Sequence, residues 1–125
     1  MHQTRFKILK DSRWGIVIDL KGDYSISDGS GLIHLDLSSL IWISGEERFC
    51  LERAIDLVGD KLKAKIRDNK DLSIIILGIE FNPCDFQVEG LTWALVQWVS
   101  EVFEIDTNFT SVTFNKADNR YEFFV

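Results

Sequence analysis

The stretch Leu72-Ser73-Ile74-Ile75-Ile76-Leu77-Gly78-Ile79-Glu80-Phe81 decides the fold predicted for this chain. It is too short and too rich in β-branched residues for a long helix, so it predicts a β-strand. Because the apolar residues follow one another with little polar alternation, we expect this strand to be covered on both faces, at the centre of a sheet. The other elements are placed around it.

The segment before this strand has the clearest helix signal in the chain. Ser44 is followed three positions later by Glu47, which is the capping-box pattern of a helix start. Apolar residues then recur at helical spacing in one stripe, formed by Leu51, Ile55, Val58, Leu62 and Ile66. Acidic residues dominate the first half and basic residues the second, as the helix dipole favours. We therefore predict a helix over residues 44–67.

Alternating or β-rich segments predict further strands on both sides of this helix. These strands cover residues 5–10, 14–20, 32–37, 109–114 and 121–125. The first two form an antiparallel hairpin, and a loop over 116–119 joins the last two in another. Residues 40–43 either extend the third strand or form a connector, and the sequence leaves both alternatives open.

A second helix is predicted over about residues 88–104, so the element order is β-β-β-α-β-α-β-β. A length of 125 residues with 46% hydrophobic content suits one domain over residues 1–125. Two helices on one face of a mostly antiparallel sheet give a two-layer α+β sandwich. The first six elements, over residues 5–104, resemble in their order the ribosomal-protein-S5 second-domain-like fold, which also occurs in translation elongation factors.

The second helix contains two tryptophans that cannot share one face. At about 100° per residue, Trp98 points with the apolar residues Leu91, Leu95 and Val102, and we expect it in the core. Trp93 lies about 140° away. Its neighbours on that side are Glu89, Gln97, Ser100 and Glu104. We expect Trp93 to face outward among acids; in the alternative, the C-terminal hairpin or the N-terminal strand folds over it.

Charge is spread unevenly along the chain. The net charge is -6, and residues 71–125 have two basic and nine acidic groups. Such a field repels nucleic acid and anionic lipid and attracts a basic protein. The apolar runs are far shorter than the roughly 20 residues that cross a bilayer, and the first residues contain no signal-peptide segment, so we expect a cytoplasmic protein. Cys50 and Cys84 lack metal-ligand spacing and are expected to be reduced.

Possible catalytic and ligand-binding patterns are weak. His34 and Asp36 share one face of a predicted strand and could act as a base and its orienting group, but no nucleophile stands at a known spacing. The turns at 19–23 and 28–31 lack the oxygen ladder of a calcium loop. The backbone of 28–31 could hold a phosphate, although no lysine and no helix follow. We expect no catalytic residue, no cofactor and no metal.

The only basic cluster has a structural explanation. It consists of Lys61, Lys63, Lys65, Arg67 and Lys70. These residues stand at a predicted helix C-terminus, where the helix dipole favours cations, and the chain as a whole is acidic. We therefore interpret the cluster as helix stabilisation rather than as a nucleic-acid site.

Size, acidity and the absence of catalytic motifs resemble the immunity proteins that bacteria make against their own secreted toxins, including those of contact-dependent growth inhibition. The resemblance implies a basic toxin as partner, possibly a nuclease whose active site is occluded. The residues expected to bind it are Glu89, Trp93, Gln97, Glu101, Glu104 and Asp106. One alternative is a catalytic or small-ligand site in the region 19–36, with Asp19, Asp23, His34 and Asp36. Another is a structural subunit that self-associates through the strand 121–125.

Overall fold

The structure is a computed structural model that describes residues 1–11, 13–107 and 111–124. The described residues form six strands and two α-helices in the predicted order, which confirms the α+β class. The elements are β1 (His2–Ile8), β2 (Ile16–Asp28), β3 (Ile33–Asp36), α1 (Gly45–Lys65), β4 (Lys70–Phe81), α2 (Gly90–Phe103), β5 (Ser111–Asn115) and β6 (Arg120–Phe124). A short 3-10 turn (Pro83–Asp85) lies between β4 and α2.

The main sheet has the strand order β1-β2-β4-β3. The strand β4 lies inside this sheet, antiparallel to β2 and parallel to β3, so its predicted central position is confirmed. The predicted hairpin of β1 and β2 is also confirmed, because the two strands pair antiparallel from His2 opposite Gly22 to Ile8 opposite Ile16.

Both helices cover the same face of the sheet, so the prediction that β4 is covered on both faces is wrong. Ile74 and Ile76 are fully buried beneath the helices, whereas Leu77 is 40% exposed. A register shift explains the unbroken apolar run: Lys21 pairs with Gly78 and Gly22 with Ile76, which leaves Leu77 as an extra residue. A bulge of this kind changes which alternate residues face the core, so apolar residues become adjacent in sequence.

The strand β2 is longer than predicted, because it continues through the turn expected at residues 19–23 as far as Asp28. Its Gly22 serves packing rather than a turn. A Cβ atom placed there would lie 3.0 Å from two carbon atoms of the Trp98 ring. The glycine therefore lets a large aromatic ring lie directly on the sheet backbone.

The predicted start of α1 is confirmed atom by atom. The backbone N–H of Ser44 donates to Glu47 Oε2 at 2.7 Å, and the N–H of Glu47 donates to Ser44 Oγ at 3.4 Å. These two bonds form the capping box. Residues 41 and 42 form a turn and residues 40 and 43 belong to no strand, so the connector is the alternative that the structure supports.

The core lies between the helices and the sheet, with Trp98 at its centre. This side chain is fully buried, as predicted, and its Nε1–H donates to the carbonyl oxygen of His2 at 2.9 Å. Cys50 is buried and Cys84 exposed, and both are free thiols. Neither helix of the described residues is long and apolar enough to span a membrane.

The C-terminal hairpin forms its own two-stranded sheet of β5 and β6. It docks through Tyr121, which is 1% exposed and whose hydroxyl donates to Trp14 O at 2.9 Å. The amide of Gln87 donates to the Tyr121 carbonyl and accepts from the Tyr121 N–H. The Gln87 side chain therefore pairs with the backbone groups of β6 at Tyr121. Self-association through this strand would require the same backbone groups to be free. Residues 109, 110 and 125 of the predicted strands lie outside the described residues.

Candidate binding site

The side chain of Trp93 is 5% exposed, so the expectation that it faces outward is wrong and the covering hairpin is the alternative found. Its ring stacks on Phe123 of β6, with centroids 5.9 Å apart and planes 21° apart. The helix α2 is apolar almost all round, and such helices are buried on more than one side. This composition is the signal that could have identified the inner position of Trp93.

A pocket of about 420 Å³ remains between α2, β1 and the hairpin. The helix contributes side chains that recur at helical spacing: Trp93, Val96, Gln97, Ser100 and Glu101. The other lining residues are Phe6 and Ile8 of β1, Thr107, and Val112 and Phe123 of the hairpin. The pocket therefore has aromatic and aliphatic walls with a few polar groups, which is the usual composition of a binding cleft.

A carboxylate belongs to this pocket and is open to solvent. The side chain of Glu101 is 42% exposed, and its Oε1 lies 2.7 Å from Nε2 of His2. These two residues are 99 positions apart in sequence, and the packing of α2 against β1 brings them together. No Lys or Arg among the described residues forms an ion pair with Glu101.

The amide of Gln97 connects the pocket to β1. Its Nε2 donates to Thr4 Oγ1 at 2.7 Å and to the carbonyl oxygen of Arg5 at 2.8 Å. Gln97 Oε1 accepts no hydrogen bond from the described residues, so it remains available as an acceptor beside the Glu101 carboxylate. The expected hydrogen-bonding role of Gln97 is thus partly fulfilled inside the chain.

Glu89 does not line this pocket, and it is paired within the chain. Arg120 Nη2 lies 2.5 Å from Glu89 Oε2, and the amide of Gln87 donates to the same oxygen. Glu89 and Trp93 line a second depression together with the two arginines Arg53 and Arg120. The negative field expected from Glu89 is therefore largely neutralised.

Glu104 and Asp106 lie beyond the end of α2 and do not line the pocket. Glu104 has a left-handed backbone with a φ of 55°, and its N–H donates to Ser100 O, so it ends the helix. The carbonyl oxygen of Asp106 accepts from the Lys61 ammonium. Of the six residues predicted to bind a partner, the structure brings Trp93, Gln97 and Glu101 into one pocket.

The residues of region 19–36 that could form a catalytic or small-ligand site do not come together in the structure. Asp36 accepts from both the N–H and the hydroxyl of Ser38, and these bonds lower its pKa. Asp19 forms a two-pronged pair with Arg5, at 2.8 and 3.0 Å, and Asp23 lies 3.6 Å from the N-terminal ammonium. The pocket that includes His34 contains neither Asp36 nor Asp23. Among the described residues, no group of three potential metal ligands occurs.

The turn at residues 28–31, whose backbone could hold a phosphate, already binds a carboxylate of the same chain. Asp71 Oδ1 accepts from the N–H of Ser30 at 3.0 Å and of Leu32 at 2.9 Å. Both bonds lower the pKa of the Asp71 carboxyl, and the bond from Leu32 has the largest effect. Desolvation of the carboxyl acts in the opposite direction and raises the pKa. The backbone donors thus do bind a carboxylate, and it comes from β4, about 40 residues away along the chain.

Asp71→Asn should destabilise the chain at neutral pH and much less in acid. The folded-state pKa is below the ordinary value, so the charged form contributes stability above a pH of about 4, and this contribution is lost as pH falls through the folded pKa. Urea unfolding of both proteins at pH 7 and at pH 3 measures the difference. If the two proteins differ in unfolding free energy by the same amount at both pH values, the charged Asp71 carboxylate does not stabilise the fold through these backbone N–H groups.

Comparison with models of known protein families gives no match for this sequence. A search of curated proteins also finds no significantly similar sequence. The geometry and charge of the described residues therefore provide the basis for a functional proposal.

Proposed function

We propose that this chain is a small binding protein that recognises a basic protein partner, and that it acts as an immunity protein neutralising a cognate toxin. The carboxylate of Glu101, beside an aromatic-lined pocket, supports this proposal most directly. A lysine or arginine of the partner enters the pocket, with its apolar stem against Trp93 and Phe123 and its charged end near Glu101. The partner's active site is thereby covered, and the chain itself performs no catalysis.

The charge of the chain supports the same class of partner. Residues 71–125, which contain Glu101, have seven more acidic than basic groups. A field of this sign speeds association with a basic protein, and such steering weakens as salt rises. In the proposal the chain resides in the cytoplasm of the cell that makes the toxin, and it protects that cell by steric occlusion and charge complementarity.

Burial of Trp93 changes the role expected of this residue in binding. A buried ring forms one side of a pocket, against which a side chain of the partner packs. It does not project from the surface and insert into the partner. Binding energy at interfaces concentrates where aromatic groups form well-packed, desolvated pockets. Gln97 Oε1 supplies a second acceptor beside the carboxylate for a guanidinium or ammonium group.

Glu101→Gln should weaken binding of the partner about tenfold, because a charge-assisted hydrogen bond in a partly desolvated site becomes a neutral one. The partner is captured from the source cells on the immobilised chain, and its affinity is then measured by calorimetry. The matched control is Glu80→Gln, which removes one charge from the opposite face of the main sheet. Equal affinities of the two variants would remove the pocket from consideration.

Neutralisation is tested separately from binding. The captured partner is expressed alone and together with the chain, and growth of the cells is followed. We expect arrest with the partner alone and growth when the chain is present. A partner that binds but leaves growth unaffected would contradict the immunity role while leaving the pocket as a binding site.

A further inference from the structure

The outer edge of β3 is unpaired. This strand is the last in the order β1-β2-β4-β3 and pairs with β4 alone. The preceding Leu32 accepts from the N–H of Leu72 and donates to Asp71, so its backbone faces β4. Because successive residues of a strand turn their backbone groups to opposite edges, Ile33 and Leu35 turn theirs away from the sheet. These outward groups have no hydrogen-bond partner in the described part of the chain.

A groove of about 390 Å³ runs between this edge and α1. Its apolar lining consists of the half-buried side chains Ile33, Leu35 and Ile55. Glu52 and Asp56, one turn apart on α1, stand exposed beside it. Neither carboxylate forms an ion pair or a side-chain hydrogen bond with another described residue.

We propose that this groove binds an extended peptide segment of a basic partner protein, which adds to the main sheet as a fifth strand along β3. The peptide backbone pairs with the outward groups of Ile33 and Leu35. Alternate side chains of the peptide face the groove, where an apolar residue contacts Ile55 and a lysine or arginine pairs with Glu52 and Asp56. Recognition of this type takes its affinity from backbone hydrogen bonds and its specificity from the groove beside the strand.

Charge favours a basic peptide over a second copy of this chain as the occupant. Pairing of two β3 edges would bring Glu52 and Asp56 of both copies to one interface, where like charges repel. The groove is also separate from the pocket beneath the hairpin, because β1 and β3 form opposite edges of the main sheet. The two sites can therefore be tested independently.

The test is an NMR titration of the full chain with the capped eight-residue peptide Thr-Val-Thr-Lys-Thr-Val-Thr-Lys, in which valine and lysine alternate on one face of the strand. We expect saturable shifts of the amide signals of β3 and of the Glu52 turn of α1. The same peptide with every backbone amide N-methylated should not bind, because it cannot donate to a strand edge. Replacing its lysines by glutamate should also abolish binding.

Glu52→Gln combined with Asp56→Asn should weaken the peptide at least about fivefold, since both carboxylates lose their charge. The matched control is Glu80→Gln combined with Asp68→Asn, which removes two charges elsewhere and should change affinity less than about twofold. Circular dichroism confirms that both variants are folded. Three results would overturn the proposal: no peptide binding at about 1 mM, shifts confined to other elements, or sedimentation showing that the edge pairs with a second copy.

Discussion

Trp98→Ala should lower the free energy of unfolding by about 3–5 kcal/mol, a large part of the stability of a domain of this size. The ring is fully buried and lies on the backbone of β2 at Gly22, a residue that has no side chain to fill the vacated space. The substitution also leaves the carbonyl oxygen of His2 without its indole donor. The cavity and the lost hydrogen bond therefore act together.

Guanidinium unfolding followed by circular dichroism measures this loss, with Trp42→Ala as the control. Trp42 is 43% exposed and touches Phe81 edge-on at 6.3 Å between ring centroids. Its truncation should cost about 1 kcal/mol or less, because the vacated space fills with water. Trp98→Phe serves if the alanine variant does not fold, and it should lie between the two. Similar losses for Trp98→Ala and Trp42→Ala would contradict the assigned core.

Tyr121→Ala should destabilise the chain by about 3–5 kcal/mol and detach the C-terminal hairpin from α2. The ring packs edge-on between Trp14 and Phe114, at centroid distances of 5.0 and 4.9 Å. Its hydroxyl accepts from the N–H of Lys10 at 3.0 Å and donates to Trp14 O at 2.9 Å. One side chain thus joins β6 to the segment between β1 and β2.

Tyr121→Phe isolates the hydroxyl, and we expect it to cost about 1–3 kcal/mol because two backbone groups lose their partner. Tyr24→Phe is the matched control: that side chain is 43% exposed, and the change should be within about 0.5 kcal/mol. Fluorine NMR of fluorotryptophan-labelled protein reports the detachment, since the Trp93 signal should move toward its solvent-exposed position in Tyr121→Ala. An unchanged Trp93 signal in that variant would show that Tyr121 does not hold the hairpin.

Local patterns were sufficient for the helices and for the class of fold. The Ser44 and Glu47 pair, the stripe from Leu51 to Ile66 and the charge gradient all lie within one continuous helical segment, and each neighbouring pair of residues in them is separated by about one turn or less. Their consequences for backbone conformation do not depend on distant segments. The strand β4 was recognisable for a similar reason, since a short β-branched run has few alternatives to a strand.

The register of the sheet could not be predicted from the apolar residues of β4. The unbroken apolar pattern of β4 predicted cover on both faces, but it arises from the extra residue Leu77, which shifts the alternation. That shift is defined only once β2 and β4 are paired. The glycine at position 22 likewise predicted a turn, whereas its function is to admit Trp98, a residue 76 positions away in the chain.

The candidate site shows the same division. The residue types on α2 indicated an aromatic group near carboxylates, and Trp93, Gln97 and Glu101 do share a pocket. Sequence alone determined the two helices, the acidic C-terminal half and the order of the elements, because these follow from interactions between near neighbours. Tertiary structure decided that Trp93 is buried beneath the hairpin, that Glu89 pairs with Arg120 and that Asp71 binds the backbone N–H groups of Ser30 and Leu32. These outcomes depend on which distant segments of the chain meet.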